Sequence, residues 1–311
     1  MKDRFGLRTI FIPIGAIAAF LVIQMITMTL YSFVIMLTDD FGIGGTDVIP
    51  DPQDFLARHS NQIGLIYSII IIIAAVSALN VLSVRNKNAV WIQKLSAGHV
   101  VSSMLLMLGC AGVISLEMTG IYAIGEKIPY VDKIIQDYIE MSEAFIGDGN
   151  IVMIILSTCI FIPIAEELIF RGVIQGELRR AMPAWAAITI QAVVFALIHG
   201  NLLQISYVII PAFILGIAYE WTKSIYVPIA MHMIFNFLGA ALPEILNYNE
   251  TAMMYLSIIE FAFIPVGIIA FFYLKAIRKT DTDEQDVMPG QLEPGAQELP
   301  VRDSGWVHRD I

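Results

Sequence analysis

The chain has 311 residues, of which 57% are apolar and only 15% are charged. A soluble domain carries about 25% charged residues, so the composition excludes an ordinary soluble globular protein. The formal net charge of −10 lies largely in two loops and the C-terminal segment, which argues against a single acidic binding face.

Eight apolar segments recur along the chain, and most approach the length of about 20 residues that crosses a bilayer. They lie at 9–37, 62–84, 98–118, 151–176, 184–200, 202–222, 226–243 and 252–275. The sequence therefore predicts an all-α, polytopic membrane helix bundle of about eight transmembrane helices, forming one integral membrane domain over 1–277. The acidic segment 278–311, rich in Pro, Gly and Gln, is predicted to be a disordered cytoplasmic tail.

Two further features concern the ends and connections of these segments. The basic N-terminus precedes an apolar run too long for a signal peptide, which predicts a retained first helix. Between 121 and 150, apolar residues recur at roughly helical spacing, which predicts an amphipathic interfacial helix. Both cysteines, Cys110 and Cys159, fall inside apolar segments, so we interpret them as small core residues rather than a disulfide.

Basic residues gather in the connections on one side of the predicted bundle. Thirteen of the eighteen Lys and Arg residues fall at or near that side when both termini are placed there. The positive-inside rule then predicts a multi-pass protein of the cell membrane with both termini cytoplasmic. No Lys/Arg-rich tract with stacking aromatics indicates a nucleic-acid partner, which leaves the lipid bilayer as the predicted environment.

Three ionisable residues, Glu166, Glu167 and Arg171, lie within six positions of the fourth apolar segment. An isolated charge at mid-membrane costs from about 2.5 to more than 10 kcal/mol, so such residues are functional by default. Residues four apart share a helical face, which pairs Glu167 with Arg171. Glu166 points about 100° away and is the better candidate for a proton acceptor and donor. The alternative is an ion-pair network that only fixes helices together.

Two further polar pairs share the spacing of four. Phe195 precedes His199 at the end of the fifth segment, and His232 precedes Asn236 in the seventh. His232 and Asn236 can donate hydrogen bonds to a developing oxyanion, whereas His199 can orient a water or accept its proton. At 1.5 Å per residue, Glu167 lies about 20 Å and His199 about 24 Å from the cytoplasmic turn that joins their segments, so their depths match. His232 lies only about 10 Å from the start of its own helix, so helix tilt or a deeper start must bring it to the same depth.

Other polar residues inside the apolar segments have a plainer interpretation. Lone histidines and single acids or amides in membrane helices more often make packing contacts than carry chemistry. We interpret Gln24, Glu117, Gln191, Glu220 and Glu260 in this structural sense.

The ordered set of motifs resembles a known family. Glu166-Glu167-x-x-x-Arg171, Phe195-x-x-x-His199 and His232-x-x-x-Asn236 are similar to the three motifs of the CPBP family, the CAAX-protease and bacteriocin-processing (ABI or Rce-type) intramembrane endopeptidases. The resemblance covers about residues 150–240, the fourth to seventh segments. It implies an α-helical membrane peptidase whose site lies in a water-accessible chamber and whose substrate is a peptide or a prenylated protein, cleaved near the cytoplasmic membrane face.

The same resemblance implies roles for individual residues. Glu166 activates the hydrolytic water with His199, His232 and Asn236 stabilise the oxyanion, and the Glu–Arg pair of the first motif balances charge. The residues fit two mechanisms: a metal-free glutamate peptidase with general-base activation of water, or a zinc peptidase with the metal held by Glu166, His199 and His232, since Glu and His are ordinary zinc ligands.

Two other classes of function stay open at this point. The cluster could belong to a non-catalytic membrane binding or bacteriocin-immunity protein that sequesters a peptide. It could also belong to a solute or proton pathway, although the sequence lacks the inverted repeat with matching broken helices that is typical of transporters.

Overall fold

Nine helices form the part of the chain that the computed structural model describes, residues 5–41, 52–85, 90–146 and 150–279. They are α1 (Leu7–Phe41), α2 (Pro52–Arg85), α3 (Ala97–Gly125), α4 (Pro129–Ile146), α5 (Ile151–Ala181), α6 (Ala184–Leu197), α7 (Leu202–Thr222), α8 (Tyr226–Ile245) and α9 (Glu250–Ala276). Within those residues there is no β-strand, only an isolated bridge between Ile92 and Ser224. The all-α prediction is confirmed.

Seven of the described helices are long and apolar enough to cross a membrane, all except α4 and α6. The predicted fifth segment, 184–200, is the exception, because α6 ends at Leu197 and the chain turns back through Gly200 with a φ of +74°. A 14-residue helix rises only about 21 Å. The protein is therefore a multi-pass membrane helix bundle with seven spanning helices and one shorter apolar helix in its described part.

Asparagine side chains fix where three of the spanning helices begin. Asn150 accepts a hydrogen bond from the backbone N–H of Met153 at the start of α5, and Asn201 and Asn249 cap α7 and α9 in the same way. Such caps satisfy N–H groups that the first turn of a helix leaves unpaired. Capping therefore sets the register in which the apolar segments enter the bundle.

Two helices change register beside prolines. In α5 the residues Ile155–Phe161 are π-helical, and the N–H of Ile162 bonds to the carbonyl of Ser157, five residues earlier. The next residue, Pro163, has no N–H to offer, so the carbonyl of Thr158 loses its helical donor. A second π-helical segment, Leu168–Gln175, follows in α5, and Phe237–Ala241 in α8 precedes Pro243. π-Segments inside α-helices frequently mark functional sites.

The core consists of two packed regions that meet at α7. One joins α1, α2, α5, α6 and α7 around Phe170, and the other joins α3, α7, α8 and α9 around Met107, both 0% exposed. α3 and α9 approach so closely that a Cβ on Gly109 would lie 2.6 Å from the Cα of Gly267. Small residues permit this backbone contact between membrane helices.

The predicted amphipathic segment is α4, which packs against α2, α3 and α7 and buries Ile135. The two cysteines are buried and unbonded to each other, in agreement with their interpretation as core residues. The predicted tail beyond 279 lies outside the described residues, as do 42–51 of the first acidic loop and 86–89 of the first basic loop.

One end of the bundle carries an ionic network. Glu177 at the end of α5 pairs with Arg8 of α1 at 2.7 Å, and Arg179 makes two hydrogen bonds, of 2.9 and 2.7 Å, to Glu220 of α7. Lys223 joins Glu220 at 3.1 Å. These contacts hold α1, α5 and α7 together at the end that the charge distribution predicts to be cytoplasmic.

Candidate active site

The Glu167–Arg171 pair forms the buried base of the site. Both side chains are 0% exposed, and Arg171 Nη1 donates to Glu167 Oε1 at 2.7 Å, as their spacing of four predicts. Arg171 Nη2 donates to the carbonyl of Ala212 on α7 at 3.1 Å, and its guanidinium carbon lies 4.9 Å from the centre of the Phe195 ring. The arginine therefore links α5, α6 and α7 and is fully buried.

His232 joins the same carboxylate from α8. Its Nδ1 lies 2.8 Å from Glu167 Oε1, across 65 residues of sequence. Because Arg171 stays protonated, Glu167 is a carboxylate that can only accept, and Nδ1 must therefore be the donor. The opposite nitrogen, Nε2, lies 3.6 Å from Glu166 Oε2. Glu167 thus fixes the orientation of the imidazole, and Nε2 faces the second glutamate.

His199 is oriented by the backbone. Its Nδ1 lies 2.8 Å from the carbonyl oxygen of Phe195, which can only accept, so Nδ1 carries a proton. The neutral ring then presents an unprotonated Nε2. The ring packs edge-on against Phe195, with ring centres 5.0 Å apart. Phe195 thus contacts Arg171, His199 and His232, a packing role consistent with its sequence interpretation.

Asn236 bonds to the carbonyl that Pro163 leaves without a helical donor. Its Nδ2 donates to the carbonyl oxygen of Thr158 at 2.8 Å. An amide nitrogen has two N–H groups, so one remains for another acceptor. The side chain of Asn236 therefore has a fixed direction, set by a break in the hydrogen-bond pattern of α5.

These groups meet at one cavity of about 680 Å³. Four of the six candidate residues line it, namely Glu166, His199, His232 and Asn236, whereas Glu167 and Arg171 lie behind the wall. The side chain of Glu166 is 13% exposed and that of Glu167 is 0% exposed. The adjacent glutamates thus occupy different environments, as their angular separation on the helix predicts.

The depth estimates need one correction. The uniform rise placed His232 well short of Glu167, yet the two side chains are in hydrogen-bond contact. Leu168–Gln175 is π-helical, and closing each turn over five residues shortens the rise per residue. The α-helical rise therefore overestimated the depth of Glu167, but these eight residues account for only part of the difference of about 10 Å.

Several buried polar side chains support the site without lining it. Gln175 of α5 donates to the carbonyl of Gly216 at 3.0 Å, and Gln191 of α6 donates to the carbonyl of Ala212 at 3.2 Å. The structural interpretation of Gln191 is confirmed by this contact. The role of Thr158 was missed, although a proline five residues later was a usable signal.

The sequence also allows a zinc site at Glu166, His199 and His232. Among the residues that the structure describes, no three His, Cys, Asp or Glu side chains come together in an arrangement that could hold a metal ion. Nδ1 of His232 donates to Glu167 and Nδ1 of His199 to the carbonyl of Phe195, which leaves Nε2 of each ring. Metal-ligating histidines commonly make this second contact, so zinc held by Glu166, His199 and His232 stays a prediction.

The fold and the site together define a multi-pass membrane protein in which a glutamate, two histidines and an asparagine line one cavity, with a second glutamate behind its wall. Residues 148–238 match the family model of the type II CAAX prenyl endopeptidase Rce1-like proteins. The resemblance indicated by the three motifs is thereby confirmed for this part of the chain.

Two relatives are similar to part of the chain. The membrane-embedded CAAX protease MroQ of Staphylococcus aureus is 32% identical over 130 residues, covering 40% of this chain and 49% of MroQ. The uncharacterized protein YpbD of Bacillus subtilis is 33% identical over 84 residues, 26% of this chain and 40% of YpbD. The chain thus spans about half of the relatives' length or less. No solved structure matches it.

Proposed function

We propose that this protein is an intramembrane endopeptidase in which Glu166 and His199 activate a water molecule to hydrolyse a peptide bond. The observation that carries the proposal is that Glu166, His199, His232 and Asn236 line one cavity inside a membrane helix bundle. The match to a peptidase family over the same residues supports it.

The hydrolytic step follows from the protonation states. Water attacks the carbonyl carbon of the scissile bond and transfers a proton to Glu166 or to Nε2 of His199. The tetrahedral intermediate then collapses as the C–N bond breaks, and the transferred proton goes to the leaving amine. His199 suits this exchange because its Nδ1 proton is held by the Phe195 carbonyl, which leaves Nε2 as the acceptor.

The oxyanion is stabilised from α8. The second N–H of Asn236 and a protonated Nε2 of His232 are the available donors, since their other groups are held by Thr158 and Glu167. His232 donates from Nε2 only when both ring nitrogens carry a proton, because Nδ1 already donates to Glu167. Losing one oxyanion donor lowers kcat by about 10²–10³-fold in other hydrolases.

The substrate is a membrane-associated peptide, and a prenylated CAAX protein is one candidate because MroQ is named a CAAX protease. The protein lies in the plasma membrane with both termini in the cytoplasm, which requires the short helix α6 to cross together with the seven longer helices. Cleavage takes place near the cytoplasmic face. The basic network of Arg8, Arg179 and Lys223 at one end of the bundle supports this orientation.

The test is cleavage of quenched-fluorescent CAAX-type and membrane-segment peptides by purified full-length protein. Glu166→Ala and His199→Ala abolish cleavage, whereas Glu117→Gln, an intramembrane acid away from the cavity wall, leaves it unchanged. Cleavage that persists in both alanine variants overturns the proposal. Tight peptide binding without turnover, unaffected by Glu166→Ala, would instead favour the binding or immunity protein.

A further inference from the structure

A second polar pair faces the same cavity from the other side of the bundle. Ser115 of α3 donates a hydrogen bond to Glu260 Oε2 of α9, and both residues line the cavity that contains Glu166 and His199. Neither lies within 148–238, the segment that matches the peptidase family. Glu260 therefore makes the helix-packing contact that the sequence predicted, and it also lines the cavity.

The carboxylate of Glu260 can accept more hydrogen bonds than it receives. Ser115 donates to Oε2, and within the described residues no hydrogen bond reaches Oε1. A carboxylate accepts about four hydrogen bonds, so one serine hydroxyl satisfies it poorly. An acid at this position in a spanning helix is costly unless it meets a cation or a donor.

The charges around the cavity indicate which kind of group Glu260 binds. Among the described residues that line it, Glu166 and Glu260 are acidic and none is Lys or Arg. Arg171 is 0% exposed, packs on the ring of Phe195 and does not line the cavity. A peptide with a free C-terminal carboxylate, as in a CAAX sequence, therefore meets no Lys or Arg side chain among the described lining residues, whereas a basic side chain meets an unsaturated carboxylate.

We propose that Glu260, positioned by Ser115, binds a Lys or Arg side chain of the peptide substrate and makes the enzyme selective for basic peptides. This inference rests on the proposed peptidase function and names the substrate class of that site. The cavity volume of about 680 Å³ suits a short peptide segment that presents both the scissile bond and the basic residue.

The experiment varies charge on both partners. A peptide that the parent protein cleaves is synthesised with Lys, norleucine or Glu at each position within five residues of the cleaved bond. The parent prefers Lys over norleucine at one position by about tenfold or more in kcat/KM, the expected value of a hydrogen bond to a charged group. The preference is expressed mainly in KM, because Glu260 does not touch the reacting atoms.

Variants test whether the preference for Lys depends on Glu260. Glu260→Gln keeps the shape and removes the selectivity, and Glu260→Lys shifts it toward the Glu peptide. Ser115→Ala weakens the preference while keeping the carboxylate, and Glu117→Gln, a matched intramembrane acid that does not line the cavity, leaves it unchanged. Amidating the C-terminus of the peptide leaves cleavage as fast or makes it faster.

The inference is overturned if the parent shows no preference for Lys at any position, or if the preference survives in Glu260→Gln. It is also overturned if a free C-terminal carboxylate is required for cleavage. The failure of the peptidase function itself looks different, because it appears as no cleavage of any peptide or as cleavage that persists in Glu166→Ala.

Discussion

Glu166 and Glu167 are adjacent in sequence and chemically identical, yet the structure predicts opposite consequences for the same substitution. Glu167→Gln removes the charge that Arg171 and His232 share, at 2.7 and 2.8 Å. Glu166→Gln removes a charge whose nearest ionisable partner is His232, at 3.6 Å, on a side chain that reaches the cavity. The first change leaves a guanidinium buried without its carboxylate, whereas the second leaves no such group.

The magnitude follows from burial. Breaking a fully buried ion pair by removing one partner destabilises a protein by about 3–5 kcal/mol, mostly because the remaining charge stays buried. Arg171 is 0% exposed and keeps only the carbonyl of Ala212 and the face of Phe195. We therefore expect Glu167→Gln to lower the free energy of unfolding by about 3–5 kcal/mol. Glu166→Gln keeps the shape of the side chain and leaves no buried charge behind, so it lowers the free energy of unfolding by about 1 kcal/mol or less.

The assay is reversible unfolding in mixed detergent micelles, followed by tryptophan fluorescence, with peptide cleavage measured on the same samples. Glu166→Gln abolishes cleavage and keeps stability, and Glu167→Gln loses stability. The double variant Glu167→Leu with Arg171→Leu recovers stability without activity, because apolar replacement of a buried pair is often neutral or stabilising. Equal stability losses for the two single glutamine variants would refute the reasoning.

Three further predictions rest on single contacts. Pro163→Ala supplies the N–H missing from α5, so the helix competes with Asn236, and kcat falls by about 2- to 10-fold with KM little changed; an unaltered kcat contradicts this. Gly216→Ala places a Cβ 2.7 Å from Gln191 Nε2 and costs about 1–3 kcal/mol in unfolding experiments, whereas Gly120→Ala, with open space around it, is tolerated. Chelator treatment leaves cleavage unchanged, since no metal-binding group of side chains occurs among the described residues; activity lost to the chelator and restored by zinc would contradict it.

The helical segments were predictable because a bilayer imposes a length and a composition that the sequence displays directly. The predicted boundaries of α7, at 202–222, agree with Leu202–Thr222, where Asn201 and the αL conformation of Lys223 provide local end signals. The fifth segment was predicted too long, since it was extended through His199 to Gly200 while the helix ends at Leu197. The turn is formed by His199, Gly200 with its positive φ, and the capping Asn201, which are local signals that a hydropathy window averages away.

The sequence by itself determined the spanning helices and the contacts made within one helix, such as Glu167 with Arg171. Those contacts recur at a fixed spacing, so they follow from helical geometry alone. Only the tertiary structure decided that His232 bonds to Glu167, that Asn236 bonds to Thr158, and that Glu260 shares a cavity with Glu166. Contacts between helices depend on helix tilt, on π-helical turns and on close approach at glycines. These shift the position of every later residue, so the spacing of residues in the sequence does not give the distance between two helices.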